Sequence, residues 1–457
     1  MKYLLYIIVL IATLTAGCAG GNMMFRMDPA HSGDYSSVSG GILPVNQQRW
    51  AFTTGGGVFS SPAVADGVVY VACIIDHKIY AINANDGSMK WTFTTGSYVF
   101  SSPAVADGVV YIGSRDYKVY AINASDGSLK WTFTTGDDVV SSPAVKDGVV
   151  YVGSNDHKVY AINASDGSLK WTFTTGNWVY TSSPAVADGV VYIGSLDHKV
   201  YAINANDGSL KWAFTTGGQV DSSPAVANGV VYIGSDDNNV YAINANDGSL
   251  KWAFTTGDYV VSSPAVKDGV VYVGSNDHKV YAINANDGSQ KWVLPIGVDV
   301  RSSPAVADGV VYVGGDRGFG INPAIYAINA SDGSLKWTFI TGETVDSSPA
   351  VVNGVVYVGS YDYKVYAIGK GKITPVLTWS DPHYIVWGQA LSNIQLNAVA
   401  SVSGTFVYTP PAGTVLPAGS NQNLHVDFSP TDTTNYNSAS MDVKIDVYKG
   451  VVPPKSN

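Results

Sequence analysis

Serines, histidines and aspartates are the side chains of this chain that could do chemistry, and all three recur at fixed spacing. Ser-Ser-Pro-Ala-Val occurs eight times, starting at Ser60, Ser101, Ser141, Ser182, Ser222, Ser262, Ser302 and Ser347. Four histidines, His77, His157, His198 and His278, follow four of these starts at one equivalent place. Serine, histidine and an acid are the parts of a nucleophilic triad, but a triad needs one nucleophile, one base and one orienting acid at a single asymmetric place. Eight equivalent serine pairs are what repetition of a unit produces. We read the serines as capping turns and the histidines as exposed rim residues, and assign no catalytic residue.

The aspartates invite a metal reading. Asn83-Ala84-Asn85-Asp86-Gly87-Ser88 and its recurrences superficially resemble a calcium loop. They lack the closing bidentate glutamate and the full alternation of oxygen ligands, and Asn, Asp and Gly form tight turns unaided. The loops, and the aspartates of Ser-x-Asp-x-Lys such as Asp116 and Asp156, are therefore expected to be turn chemistry, with no metal site.

These residues must be positioned by the repeat that carries them, which spans 40 or 41 residues until the last two units. In the unit from Ser141, a strand over Ser141–Lys146 ends at Asp147-Gly148, a dipeptide suited to a type I′ hairpin. Val149-Val150-Tyr151-Val152 is apolar without alternation, as in a strand covered on both faces. Ser154–His157 turns the chain into Lys158–Ile162, Asn163–Ser168 turns it again, and Lys170–Thr174 ends the unit. Four short strands per repeat predict a β-propeller with one blade per unit. Pro62 and its counterparts lack an N–H, which places their strand at a sheet edge, here the axis. The tryptophan strand is then outermost. The last unit stops at Ile368 without a tryptophan while Trp50 precedes the first, so Arg49–Thr54 is expected to supply the outer strand of blade eight and close the ring.

The run Ala121-Ile122-Asn123-Ala124-Ser125-Asp126-Gly127-Ser128-Leu129-Lys130-Trp131 resembles the tryptophan-docking motif of the pyrroloquinoline-quinone-like repeat family, Ala-x-Asp-x-x-Thr-Gly-x-x-x-Trp, with Asn for Asp and Asp for Thr. The resemblance covers Arg49 to Gly369 and implies an all-β, eight-bladed propeller. For activity it implies two outcomes, because the family includes quinone-dependent dehydrogenases and also the non-enzymatic lipoprotein of the outer-membrane barrel-assembly machine. A dehydrogenase of this kind needs a calcium site with a glutamate ligand, an aspartate base and usually a vicinal cysteine pair. Glu343 is the single glutamate and no Cys-Cys exists. The expectation is a binding or scaffold protein without cofactor.

The ends suggest an address. Residues 1–17 have the charged start and short apolar stretch of a signal peptide, and Ala16-Gly17-Cys18 resembles a lipobox, making Cys18 the expected lipidation site. Residues 18–48 read as a tether, within which Met24–Gly33 resembles a segment that often precedes such propellers. After a linker at 370–372, residues 373–449 alternate apolar and polar in short runs and are similar to immunoglobulin-like β-sandwich modules of prokaryotic surface proteins; 450–457 form a tail. An exported, membrane-anchored lipoprotein of the cell surface or periplasm is expected, with secretion as the alternative. The net charge of -10 disfavours nucleic acid. With Cys18 lipidated, Cys73 is left unpaired and is expected to be a small buried residue.

Comparison of the repeats locates their differences. The Asp-Gly and Asp-Gly-Ser turns barely change and share one face; the connections from outer strand to next inner strand, and the turns between second and third strands, share the other. Around a constant valine the connections carry Phe59, Tyr98, Phe100, Asp137, Asp138, Trp178 and Tyr180 in early blades. Later blades carry Asp221, Tyr259, Asp299, Arg301, Glu343 and Asp346. Aromatic rings beside carboxylates on exposed loops suggest a recognition surface for a protein, peptide or glycan. Tyr98, Phe100, Trp178 and Tyr180 are expected to form one aromatic sector near the axis. Blade seven adds an insertion, Gly314–Pro323, on the same face.

Overall fold

The structure is a computed structural model in which residues 28, 31–35, 46–316, 318, 320–369, 374–382, 384–433 and 435–450 are described. The expected signal peptide, Cys18, the linker at 370–372, residues 451–457 of the tail, and Arg317 and Phe319 of the insertion lie outside them.

Two compact units divide after Gly369. In the first, eight four-stranded antiparallel sheets follow the repeats. Blade three is Ala144–Lys146, Val149–Ser154, Lys158–Asn163 and Leu169–Thr174, paired in that order from inside to outside. The second strand is buried along its whole length, as its unbroken apolar run predicts. Asp147 and Gly148 hold positive φ of 49° and 72°, the left-handed pair that a type I′ turn needs. The inner strand has three residues, shorter than Ser141–Lys146, because it begins only after the proline. Inner strands of consecutive blades pack side by side, and that of blade eight packs on that of blade one.

The ring closes through the N-terminal strand. Gln48–Thr53 pairs antiparallel with the third strand of blade eight, with Trp50 opposite Ala367 and Thr53 opposite Lys364. Each blade is clasped to the next by its tryptophan. Trp91 Nε1 donates to the Ala124 carbonyl at 2.9 Å, and Tyr70 OH donates to the same oxygen at 3.4 Å. The indole lies on Gly127, where a Cβ would stand 2.8 Å from the ring. Trp50 Nε1 bonds Ala84 O at 3.0 Å and so fastens blade eight to blade one. Where other blades have the Asn-Ala-x-Asp-Gly-Ser turn, blade eight reads Ile368-Gly369-Lys370-Gly371-Lys372. In blade seven Trp337 is half-buried, and the buried Tyr312 hydroxyl has no hydrogen-bond partner among the described residues.

The repeated aspartates are structural, as expected. Asp116 accepts from Tyr120 OH at 2.5 Å and from Gly96 N at 2.9 Å, tying a turn to the preceding connection. In the Asp-Gly-Ser turn, Ser128 N and Oγ both donate to Asp126 Oδ1, at 2.9 and 2.7 Å. The turn histidines adopt left-handed φ of 59–69°; His198 and His278 are exposed, whereas His77 and His157 are half-buried. Cys73 is fully buried, and burial pushes its thiol up to about 11.

One stretch of the expected tether is part of the propeller. Val266 N donates to Ser32 O and Val306 N to Gly33 O, both at 2.8 Å, and Tyr35 N donates to Val306 O at 2.7 Å. Lys267 Nζ pairs with Asp34 Oδ2 at 2.8 Å. Residues 31–35 satisfy these backbone groups on the inner strands of blades six and seven, with a single bridge between Asp34 and Val306. His31 and Tyr35 are buried there.

The second unit is also all β. Leu377–Thr378 pairs with Val399–Ala400, and a four-stranded sheet runs Ile385–Val386, Ala439–Tyr448, Gly419–Pro430, Gly404–Thr409. Trp379, Leu391, Leu424, Val426, Val443 and Ile445 lie in its core.

Candidate functional site

The two serines of each repeat do different work, and neither caps a turn as expected. The first joins strands within a blade: Ser141 Oγ accepts from Gly153 N at 3.1 Å. The second joins blades. Ser61 N donates to Ser102 Oγ, Ser102 N to Ser142 Oγ, and so on through Ser183, Ser223, Ser263, Ser303 and Ser348, whose N returns to Ser61 Oγ. All eight bonds measure 2.9–3.0 Å. The residue that follows is proline and offers no donor; in blades five to eight the first serine adds to the contact between blades, its Oγ in Ser222, Ser262, Ser302 and Ser347 donating to the carbonyls of Ser262, Ser302, Ser347 and Ser60 at 3.0–3.3 Å.

Above this serine ring, on the variable face, opens a cavity of about 400 Å³. The second serines form its floor. Its wall takes the residue just before the serine pair from each blade: Phe59, Phe100, Val140, Thr181, Asp221, Val261, Arg301 and Asp346, with Tyr180, Asn276 and Tyr361 beside them. Phe59 meets Phe100 at 5.7 Å and Tyr361 at 6.4 Å between ring centroids, both edge to face. Blades one to four thus contribute Phe59, Phe100, Val140 and Tyr180 with Thr181, whereas the charged groups Asp221, Arg301 and Asp346 come from blades five, seven and eight, with Val261, Asn276 and Tyr361 among them. The inner-strand segment of residues 31–35 lies on the far side of the serine ring.

Six of the expected surface residues meet here: Phe59, Phe100, Tyr180, Asp221, Arg301 and Asp346. Tyr98, Trp178 and Tyr259 do not line the cup. They stand on the outer rim, 43, 45 and 49% exposed, and Tyr98 packs edge-on against His77 at 4.9 Å. The expected four-residue aromatic sector is therefore split. The constant valine between each pair, Val99 for instance, is fully buried, so the residue before it points out and the residue after it points to the axis. Asp138 pairs with Arg115 at 2.5 Å, and the Arg115 guanidinium lies 5.8 Å from the Phe100 ring. Asp137 accepts from Asp138 N at 2.7 Å. Asp299 holds His278 Nδ1 at 2.9 Å and Arg301 at 3.4 Å. Glu343 is half-buried, and its backbone carbonyl accepts from Thr341 and Ser360.

Sequence reasoning missed the serine floor, Thr181, Asn276 and Tyr361. Thr181 is the extra residue that ends the 41-residue unit begun at Ser141, and its hydroxyl donates to Asp221 Oδ1 at 2.8 Å. Asn276 and Tyr361 occupy the variable turn between second and third strands, a position that repeat comparison flags once the turn is known to lean over the axis.

Burial sets the electrostatics. The Asp346 carboxyl is pushed up to about 6, first by burial and then by the nearby Asp316 charge, against the opposing pull of Arg301 and a hydrogen bond from Tyr361. Burial also raises Asp221. Asp236 is pushed up to about 6 by burial, with the charges of Asp221 and Asp237 adding to it. The Oδ1 atoms of Asp346, Asn276 and Asp236 are buried without a hydrogen-bond partner among the described residues. The single glutamate is not in the cup wall, and among the described residues no three acidic, histidine or cysteine side chains cluster to hold a metal.

Eight four-stranded blades, tryptophan clasps and an axial cup define a β-propeller of pyrroloquinoline-quinone-like repeats. The chain belongs to the family whose model is described as outer membrane protein assembly factor BamB, which matches residues 44–103, 76–212, 175–299, 255–368 and 297–410. Among solved structures, BamB from Moraxella catarrhalis is similar at 18% identity and a TM-score of 0.61, over 71% of this chain and 97% of that one. The computationally designed Ika8 protein aligns at 16% identity and a TM-score of 0.63, over 71% of this chain and 100% of that one. A europium-containing methanol dehydrogenase aligns at 14% identity and a TM-score of 0.63, over 76% of this chain and 98% of that one. At these identities the likeness concerns the fold. No curated protein matches the chain.

Proposed function

We propose that this protein is a non-enzymatic binding or scaffold protein of the cell envelope that holds a segment of a protein, peptide or glycan partner in its axial cup. One observation carries the reading. In a ring built from nearly identical units, six of the non-repeated side chains, Phe59, Phe100, Tyr180, Asp221, Arg301 and Asp346, converge on one cavity, whereas the repeated ones are consumed in clasps, turns and the serine floor. Aromatic rings beside charged groups in a concave site are the chemistry of recognition. Envelope placement draws on the export and lipobox pattern ending at Cys18 and on the family's description, and the second unit serves as an immunoglobulin-like spacer. The family description also favours a narrower form, an envelope protein-assembly factor that works by docking partner proteins. The fold shared with a methanol dehydrogenase supplies the enzymatic alternative, against which the donor set of the cup argues.

Site-specific photo-crosslinking of the full chain tests the proposal. A photoreactive residue in place of Phe100 should give a discrete adduct with an envelope component, and one in place of Ser128 on the invariant face should give none. Adducts only from Ser128 would move binding to the opposite face of the propeller, and adducts only from positions after 373 would reverse the roles of the two units.

A further inference from the structure

We infer that the group seated in the cup is a primary ammonium on an apolar stem, as presented by a lysine side chain of a partner polypeptide; this rests on the cup being the binding site. The charged half of the wall holds Asp221 and Asp346 against one cation, Arg301, which is already engaged by Asp299 at 3.4 Å. An anion would add to this surplus and a neutral ligand would leave two part-buried carboxylates uncompensated, whereas a cation relieves them.

Hydrogen bonding points the same way. Asp346 Oδ1 and Asn276 Oδ1 are buried acceptors without a donor among the described residues. An ammonium brings three donors and no acceptor, the complement of such a wall. It fits better than a guanidinium, whose planar fork favours a carboxylate with both oxygens open. Here the Thr181 hydroxyl occupies Asp221 Oδ1, so that carboxylate offers a single oxygen. The facing rings of Phe59, Phe100 and Tyr361 supply apolar surface for the stem and π faces for the charge.

The test is a fluorescence titration of the full-length protein with dansylcadaverine, a primary ammonium on an alkyl stem, beside its N-acetylated neutral form. The amine should bind and the acetylated form should not. Asp346→Asn and Asp221→Asn should each weaken binding by roughly tenfold. Arg301→Gln should strengthen it, a change of sign that a merely structural role would not produce. Asp147→Asn, the same change of net charge in an invariant turn, should leave it unaltered, and the melting curve of each variant checks its fold. An acetylated Gly-Lys-Gly peptide should displace the probe better than free cadaverine. Equal binding of the neutral form, indifference to all three cup substitutions, or better displacement by free cadaverine overturns the inference. If the amine fails while Phe100 still crosslinks to an envelope component, only the ligand class is wrong; if both fail, the cup is not the site.

Discussion

Asp346 is held in the cup at a cost to stability, and that cost can be measured. Its folded-state pKa of about 6 lies above the ordinary carboxylate value. Ionisation therefore penalises the folded state: the penalty is absent below about pH 4, grows between about pH 4 and 6, and is complete above that. Asp346→Asn removes it. The variant should melt higher than the parent at pH 7.5, by the equivalent of at most about 3 kcal/mol, and the difference should close by pH 4. A lower melting temperature at pH 7.5 would contradict this burial penalty. At this scale the sequence was half legible. Asp346, Phe59 and Phe100 stand out as departures from the repeat, but the departure of Trp178 looks the same on paper. What separates them is the side of the connection that faces the axis, which the buried valine sets and composition does not reveal.

At the scale of elements, each blade was readable because one hairpin dipeptide, one unbroken apolar run and one tryptophan strand recur eight times. The inner strand was overextended, since serine hydroxyls and backbone amides take over the pairing before the proline. The added strand at residues 31–35 was missed altogether: its Gly and Ser content carries no period of its own, and its place is set by free groups on the axis. Two predictions follow from these contacts. Ser142→Ala leaves the buried Ser102 amide without an acceptor and should cost about 1–3 kcal/mol in chemical unfolding, whereas Ser128→Ala in an exposed turn should cost less than about 1 kcal/mol; equal costs would deny the serine ring its role. Deleting residues 28–35 exposes the Val266 and Val306 amides and should lower the melting temperature, while an unchanged melting curve would show that the segment contributes nothing to the ring.

For the whole molecule, closure is the property on which everything else depends, because the serine ring and the cup exist only when blade eight meets blade one. Deleting Arg49–Thr54 removes the outer strand of blade eight and the Trp50 clasp, leaving unpaired strand edges. The truncated protein should be far less soluble than the parent, and equal solubility with an unchanged melting curve would refute closure by the N-terminal strand. The near-perfect repetition that made the fold legible concealed the cup, since its wall draws on the few positions where the units disagree and on how they converge in space. The measurement that bears most directly on the account is the equilibrium affinity for the partner captured through position 100, compared between Phe100→Ala in the cup and Trp178→Ala on the rim. The account predicts at least a tenfold loss for Phe100→Ala, about 1.4 kcal/mol, and little change for Trp178→Ala; a loss confined to Trp178→Ala, with Phe100→Ala binding as the parent does, would contradict it.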